Sequence, residues 1–121
     1  MSLKEKITDV YNHVQSGTAM NAFEKYYADN VVMILEDGTE VKGKDANRDR
    51  ENEFFGSVES FNGMEVVSIT SNEEAGSTTV ESWMDVTFKG TEQSVKLEQV
   101  ATQKWEDGEI VKERFYGTQQ G

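Results

Sequence analysis

The fold of this chain is decided by a stretch near its end, QKWEDGEIVKERFY, residues 103–116. Apolar and polar residues alternate on both sides of Asp107-Gly108, and an Asp-Gly pair between two such runs is typical of a tight β-hairpin turn. The stretch therefore predicts a strand, a turn and a return strand. Placed after several helical segments, it favours a curved antiparallel sheet that encloses space for a small ligand.

The first half of the chain predicts three helices. Apolar residues fall at helical intervals from Leu3 to about residue 15, Ser2 and Glu5 have the spacing of a capping box, and Gly17 ends the helix. A second helix follows a Thr18 cap and closes at residues 29–30, and a third runs from 44 to about 55. The third has few apolar anchors, Ala46 and the two phenylalanines at 54 and 55.

The strand signals lie between and after these helices. Residues 31–35 form an apolar run of strand length, and residues 40–42 are a possible short return strand. Long strands are expected over about residues 62–72, 77–89 and 94–105, with a last strand from 109 to about 118. The pattern predicts a single α+β domain over residues 1–121, in which a cone-shaped curved antiparallel sheet wraps around three N-terminal helices.

Composition narrows the classes of partner. The chain has 121 residues, 12 Lys and Arg against 23 Asp and Glu, and a net charge of −11, which argues against nucleic acid and anionic membranes. It has no cysteine, hence no disulfide or thiolate, which fits a reducing cytoplasm. We find no signal peptide or membrane span. With one histidine and no calcium-loop spacing, no metal site or cofactor is expected.

The order and spacing of these elements resemble the SnoaL-like members of the nuclear transport factor 2-like superfamily. The matching pieces are YYADNV at 26–31, Gly38 with GKDA at 43–46, and WEDGEI at 105–110 leading to Tyr116. The resemblance implies a cystatin-like α+β barrel, commonly dimeric, with a pocket between the sheet and the first helices. Its members include isomerases, polyketide cyclases, dehydratases, epoxide hydrolases and non-catalytic binding domains, so the fold alone does not specify the function.

The resemblance also supplies a test for catalytic residues. Steroid isomerases of this superfamily use an aspartate base, a tyrosine on the first helix and an acid on a late strand, and here the first and last positions hold Leu35 and Ala101. Tyr11 matches the tyrosine, Glu36 is next to the base position, and His13 is the single histidine. Catalytic candidates are therefore Tyr11, Glu36 and His13. The alternatives are a core tyrosine, an exposed turn carboxylate and a solvated histidine.

Strand alternation, with the inward faces chosen as the resemblance implies, predicts a pocket lining. We expect Val80 to Phe88 at even positions, Val95 to Trp105 at odd positions, and Ile110, Lys112, Arg114 and Tyr116 to face inward. The ligand-binding set is then Tyr11, Met33, Leu35, Ser82, Met84, Gln99, Ala101, Gln103, Arg114 and Tyr116. Arg114 would bind a carbonyl or anionic group of the ligand, or else pair with a carboxylate such as Glu36, or extend to solvent.

Large apolar side chains on the reverse face of the sheet, Trp83, Val100 and Phe115, predict a homodimer interface. Three functions remain open on the sequence: a pocket that binds a small, mostly apolar molecule; an isomerase, polyketide-cyclase-like or hydrolase enzyme; and a non-catalytic dimeric interaction module.

Overall fold

The computed structural model describes the backbone of residues 1–120 and the side chains of residues 1–117. Its helices and strands are α1 (Leu3–Gln15), α2 (Ala19–Tyr26), β1 (Tyr27–Ile34), β2 (Glu40–Lys42), α3 (Lys44–Ser57), β3 (Val58–Asn72), β4 (Ser77–Phe88), β5 (Ser94–Glu106) and β6 (Glu109–Gln120). The helices pack on a curved, open, six-stranded sheet. The predicted α+β fold class is confirmed.

Helix α1 begins with the capping box expected from its sequence. The Glu5 backbone N–H donates to Ser2 Oγ at 3.1 Å, and the Ser2 backbone N–H donates to Glu5 Oε1 at 2.8 Å. Glu73, from the end of β3, accepts from the next two backbone N–H groups of the helix. The backbone N–H groups of Leu3, Lys4 and Glu5 therefore all have side-chain acceptors. The contacts with Glu73 also attach the start of the helix to the tip of the β3–β4 hairpin.

Replacing Ser2 with alanine is expected to lower the free energy of unfolding by about 1 kcal/mol, because the helix loses one side-chain cap. Urea denaturation followed by circular dichroism measures the change. Ser16→Ala, at the exposed C-terminal end of the same helix, is the matched control and should stay within about 0.5 kcal/mol of wild type. Equal losses from both substitutions would contradict the capping argument.

The sheet has the strand order β2-β1-β6-β5-β4-β3. Strands β3 to β6 form a continuous antiparallel meander, while β1 lies parallel to β6. The sheet is therefore mixed, because β1 and β6 are parallel. The sequence had predicted a sheet that is antiparallel throughout. Strand β1 begins at Tyr27, directly after α2, and its first two residues, Tyr27 and Ala28, are buried. The helix end predicted at residues 29–30 therefore lies inside the strand.

A β-bulge at Val111 changes the facing of β6. Trp105 pairs with Ile110 and Lys104 pairs with Lys112, so Val111 is an extra residue between two regular pairs. One inserted residue reverses the alternation of everything that follows it. Ile110 and Glu113 are consequently both buried.

The core lies between the two N-terminal helices and the concave face of the sheet. Its buried members are Ile7, Val10, Tyr11, Ala22, Phe23, Tyr26, Tyr27, Val31, Met33, Val80, Trp105 and Ile110. Aromatic contacts order this layer, since Phe23 stacks on Tyr27 at 4.9 Å and Tyr26 meets Trp105 edge-on at 6.2 Å between ring centroids. The core fills one end of the cone and leaves the other end, beside α3, open.

Candidate functional site

A cavity of about 770 Å³ opens between the sheet, α1 and α3. Its walls are mainly apolar and aromatic: Val10, Tyr11, Val14, Tyr27, Leu35, Phe54, Phe55, Met84, Phe88, Leu97 and Phe115. Its polar lining comprises Glu36, Arg50, Glu51, Glu53, Ser57, Ser82, Glu98, Gln99 and Glu113, and Gly117 borders it. An apolar hollow with a few convergent polar groups is typical of a small-molecule site.

A carboxyl group, that of Glu113, is buried at this cavity. Glu113 is 2% exposed, and β6 positions it inward because of the bulge at Val111. Tyr27 Oη donates to its Oε1 at 2.6 Å, and Gln103 Nε2 donates to its Oε2 at 2.7 Å. Each carboxyl oxygen therefore has one protein donor and keeps acceptor capacity for another group.

The hydrogen bonds behind Glu113 have a fixed direction. Trp105 Nε1 donates to Thr78 Oγ1 at 2.9 Å, and Thr78 Oγ1 donates to Gln103 Oε1 at 2.7 Å. An indole nitrogen can only donate, so Thr78 Oγ1 accepts from Trp105. The Thr78 proton then goes to Gln103 Oε1, and the Gln103 NH₂ group faces Glu113. The chain of donors thus ends on the carboxylate and favours its ionised form.

Burial works against that ionised form. Loss of water around the carboxyl raises the pKa of Glu113 to about 7, against the opposing effect of the hydrogen bonds from Tyr27 and Gln103. The negative charge of Glu51 adds to the rise, and the positive charge of Arg50 reduces it. A carboxyl whose pKa lies near neutrality can both accept and release a proton under ordinary conditions.

Helix α3 contributes a charged pair to the cavity. Arg50 Nη2 donates to Glu51 Oε1 at 3.2 Å, and the same nitrogen contacts Asn47 Oδ1 and Met33 Sδ. Arg50 Nε is enclosed and has no acceptor among the described residues. Burial raises the pKa of Glu51 as well, with Arg50 opposing the rise. The guanidinium of Arg50 therefore pairs with Glu51 and acts on Glu113 only through its charge.

Tyr11 brings an unused hydroxyl to the same cavity. The residue is 7% exposed and lines the cavity from α1. No hydrogen bond within the described part of the chain involves its hydroxyl, in contrast to the hydroxyls of Tyr26 and Tyr27. Burial, together with the charges of Glu113 and Glu51, raises the pKa of Tyr11, so the phenol keeps its proton. It is a neutral group that can donate to or accept from a bound molecule.

The structure brings half of the predicted ligand-binding residues to the cavity surface. Tyr11, Leu35, Ser82, Met84 and Gln99 line it. Met33, Ala101 and Gln103 are buried behind the lining, where Gln103 holds Glu113. The inward faces predicted for β4 and β5 are therefore correct, although the role of these residues in binding stays a prediction.

The predicted facing of β6 beyond Ile110 is wrong. Arg114 and Tyr116 are exposed on the outer face, where the guanidinium lies over the Tyr116 ring at 5.0 Å. Phe115, predicted for the outer face, packs against the core and lines the cavity. The physical reason is the bulge at Val111, which strict alternation cannot anticipate.

The other catalytic candidates lie at the margin or outside. Glu36 is exposed at the cavity rim and accepts a hydrogen bond from Gln99 Nε2 at 3.3 Å. His13 does not line the cavity; its ring contacts Thr18 Oγ1 at 2.8 Å and lies near Asp9. Neither residue is enclosed as a general base in this site would be.

Four residues of the cavity were not predicted from the sequence: Glu113, Tyr27, Arg50 and Glu51. One signal for Glu113 was present, since Val111 and Phe115 flank it at alternate positions and form an apolar face if that set points inward. No comparable signal marked Arg50 or Glu51, because α3 is polar throughout and its predicted anchor Ala46 is exposed while Asn47 is buried.

On the outer face of the sheet, Trp83 and Val100 are partly exposed, as a dimer interface requires. Trp83 already has partners in its own chain: its Nε1 donates to Glu65 at 3.0 Å, and Lys96 lies over its ring at 4.7 Å. Phe115 is not part of this face. Over the described residues, no helix has the length and apolar character to cross a bilayer, and no group of His, Asp or Glu is arranged to hold a metal ion.

A model of the SnoaL-like domain family matches residues 1–117. A comparison with curated proteins finds no significant match. Among solved structures, a candidate SnoaL-like polyketide cyclase from Mesorhizobium loti superposes with a TM-score of 0.79 at 25% identity, covering 96% of this chain and 99% of its own. A candidate isomerase from Bacillus subtilis gives 0.78 at 15% identity, covering 94% and 84%. An LEH-like epoxide hydrolase from M. tuberculosis gives 0.75 at 13% identity, covering 97% and 84%.

Proposed function

Because the chain belongs to the family of SnoaL-like domains, we propose that it binds a compact, largely apolar small molecule in the cavity and exchanges a proton with it through Glu113. One observation carries the proposal: a buried carboxyl with a pKa of about 7 lies at a cavity of about 770 Å³. The volume lies within the range of pockets that take small organic molecules.

The polar end of the ligand belongs beside Tyr11 and Glu113. The Tyr11 hydroxyl makes no hydrogen bond within the described part of the chain and lies at the cavity surface, so a ligand atom can complete its hydrogen bonding. The Glu113 oxygens retain acceptor capacity there. The rest of the ligand contacts the aromatic walls, chiefly Phe54, Phe88 and Phe115.

An acid–base role for Glu113 fits several reactions, because isomerisation, cyclisation and epoxide opening all need a proton moved at a defined atom. The structural neighbours named for such reactions share the fold, but identities of 25% and below do not choose among them. The expectation of a carbonyl or anionic ligand group rested on Arg114, Tyr11 and Gln103. Of these, Arg114 is exposed on the outer face, Gln103 is buried behind the lining, and Tyr11 lines the cavity.

Tyr11→Phe is expected to leave the free energy of unfolding within about 0.5 kcal/mol of wild type, because the lost hydroxyl has no protein partner among the described residues. Its affinity for a bound ligand should fall roughly fivefold to tenfold, the value of one hydrogen bond. A thermal-shift screen of compact cyclic alcohols, ketones and amines, followed by calorimetric titration of the strongest hit, measures both quantities.

Tyr27→Phe is the matched control, because it removes the same atom from a tyrosine whose hydroxyl donates to Glu113. It should destabilise the protein by about 1.5–3 kcal/mol, the value of a hydrogen bond to a charged group. If no compound in the screen stabilises wild type, or if Tyr11→Phe destabilises as strongly as Tyr27→Phe, the proposed ligand position is wrong.

A second candidate is a binding module without chemistry. The observation in its favour is that both oxygens of Glu113 already have protein donors, as in a structural polar network. Carbon-13 NMR of labelled glutamate separates the two candidates. The carboxyl of a working acid–base group should titrate near pH 7, and its titration midpoint should change when ligand binds. The titration midpoint of a structural carboxyl should be the same with and without ligand.

We also propose that copies of the chain associate through the outer sheet face around Trp83 and Val100, with Phe115 excluded. Both residues are partly exposed on one side of neighbouring strands. Sedimentation equilibrium of wild type and of Val100→Lys tests this: a dimer that becomes a monomer in the variant supports it, and a wild-type monomer overturns it.

A further inference from the structure

We infer that the polar end of the ligand is a basic nitrogen, so that the cavity takes compact apolar amines in their cationic form. This inference rests on the proposed function and narrows it to one class of ligand. It follows from the charge balance of the cavity, from the unused hydroxyl of Tyr11 and from the aromatic walls.

The cavity carries more negative than positive charge. Glu51 and Glu113 lie inside it and Glu36 and Glu53 at its exposed margin, while Arg50 is the single cationic side chain among the described lining residues. Glu98 also lines the cavity, and its carboxylate is paired with Lys96 at 3.7 Å.

The two inner carboxyls cannot both be neutralised by Arg50. Its guanidinium donates to Glu51, and Glu113 receives its hydrogen bonds from Tyr27 and Gln103, which are neutral. A mostly buried carboxylate without a cation is costly, so Glu113 must hold a proton or meet a positive group. A bound ammonium group supplies that positive charge, and Glu113 then gives up its proton to the solvent.

Tyr11 is the second, independent observation. Its side chain is more than nine-tenths buried, it lines the cavity, and its hydroxyl has no partner within the described residues. An ammonium nitrogen has up to three N–H donors, which can be shared between the Tyr11 oxygen and the Glu113 carboxylate. The ammonium group that the charge balance requires beside Glu113 would therefore also complete the hydrogen bonding of the Tyr11 hydroxyl.

The walls suit the same ligand. Phe54 meets Phe55 and Phe88 edge-on at 5.2 and 6.0 Å between ring centroids, and all three line the cavity. Aromatic faces attract cations and contact apolar groups equally well. The net charge of −11 also favours approach of a cation over an anion.

Arg50 is a poor anion site. Its Nη2 contacts Glu51, Asn47 and Met33, its Nε is enclosed within the protein, and Nη1 is the other nitrogen that has no hydrogen bond within the described residues. An anion placed beside it would also face Glu51 and Glu113. Repulsion from these two carboxyls opposes a carboxylate or phosphate ligand at this position.

The test compares three probes of one shape and different charge: naphthylmethylamine, naphthylmethanol and naphthoate. By calorimetric titration near neutral pH, the amine is expected to bind wild type about tenfold more tightly than the alcohol, the value of a charge-assisted hydrogen bond, with naphthoate weakest. In buffers of different ionisation enthalpy near pH 7, amine binding should release about half a proton, because a carboxyl with a pKa of about 7 is half protonated there.

Two matched variants show whether the preference for the amine and the release of a proton depend on Glu113. Glu113→Gln should reduce the tenfold preference for the amine to less than about twofold and abolish the proton release, since it removes the inner charge. Binding of naphthylmethanol to that variant checks that the cavity is intact. Glu81→Gln removes the same charge from the exposed outer face of β4 and should behave as wild type.

The outcomes separate the two proposals. If the alcohol binds as tightly as the amine, or naphthoate binds most tightly, the amine class is overturned and the cavity remains a ligand site. If wild type binds none of the three probes, the proposed function fails together with this inference. A tenfold amine preference that Glu113→Gln keeps and Glu81→Gln loses would place the cation outside the cavity and overturn the inference.

Discussion

The free energy of unfolding of the wild-type protein is expected to fall by about 3 kcal/mol as pH rises from about 4.5 to above 7, and replacing Glu113 with glutamine is expected to abolish this fall. Burial raises the pKa of this carboxyl in the folded state, so between those limits the folded protein holds a proton that the unfolded chain has lost. The folded state binds more protons, and the free energy of unfolding therefore falls as pH increases. Below the lower limit both states are protonated and the effect vanishes.

Urea denaturation of wild type and Glu113→Gln from about pH 5 to about pH 8 measures the difference between their pH profiles. The glutamine also faces the Gln103 NH₂ group, which costs the variant some stability at every pH, so the slope and not the absolute value is the readout. Glu81→Gln, on the exposed outer face, should follow the wild-type profile. Parallel profiles for wild type and Glu113→Gln would contradict a raised pKa.

Trp105→Ala is expected to cost about 3–5 kcal/mol, the range for removing a buried aromatic side chain. Trp105 is 4% exposed, contacts Tyr26 edge-on and donates to Thr78. The alanine variant loses the ring packing and the donor together, and it removes the group that orients the hydrogen bonds leading to Glu113. Chemical denaturation gives the total loss.

Trp105→Phe separates the two contributions, because it keeps most of the ring and deletes the N–H. Its expected cost is about 1–3 kcal/mol. Without the indole donor, Thr78 and the Gln103 amide can reverse, and a reversed amide presents its oxygen to Glu113. The pKa of Glu113 should then rise further, as carbon-13 NMR of labelled glutamate would show. An unchanged titration midpoint in Trp105→Phe would mean that the indole does not set the direction of these bonds.

Where local chemistry decided the structure, the sequence was sufficient. Asp107 and Gly108 both adopt positive φ angles, as the hairpin turn requires, and the Ser2 capping box formed as expected. On β4 and β5, regular pairing kept the alternation intact, so the face that the resemblance placed inward is the buried one along both strands. These features depend on neighbours within a few residues, and such neighbours are visible in the sequence.

Where a contact between distant segments decided the structure, the sequence was insufficient. The bulge at Val111 depends on how β6 pairs with β5 and lies beside β1, so an acidic residue between two basic ones was taken for an outward position. Arg50 and Glu51 enter the cavity because α3 docks across β1, which its polar sequence does not indicate. The cavity therefore lies where the pocket was predicted, with Tyr11 and Glu36 among its lining residues, but Arg50, Glu51 and Glu113 were not predicted there.

The extra residue in β6 also affects how related chains should be aligned. A relative without it would keep the same pairing of Ile110 with Trp105 and of Lys112 with Lys104 if the gap is placed at Val111. An ungapped alignment through the hairpin would instead match each inward side chain of one protein with an outward side chain of the other. Roles transferred along that strand would then fall on the wrong side of the sheet, with Arg114 in place of Glu113.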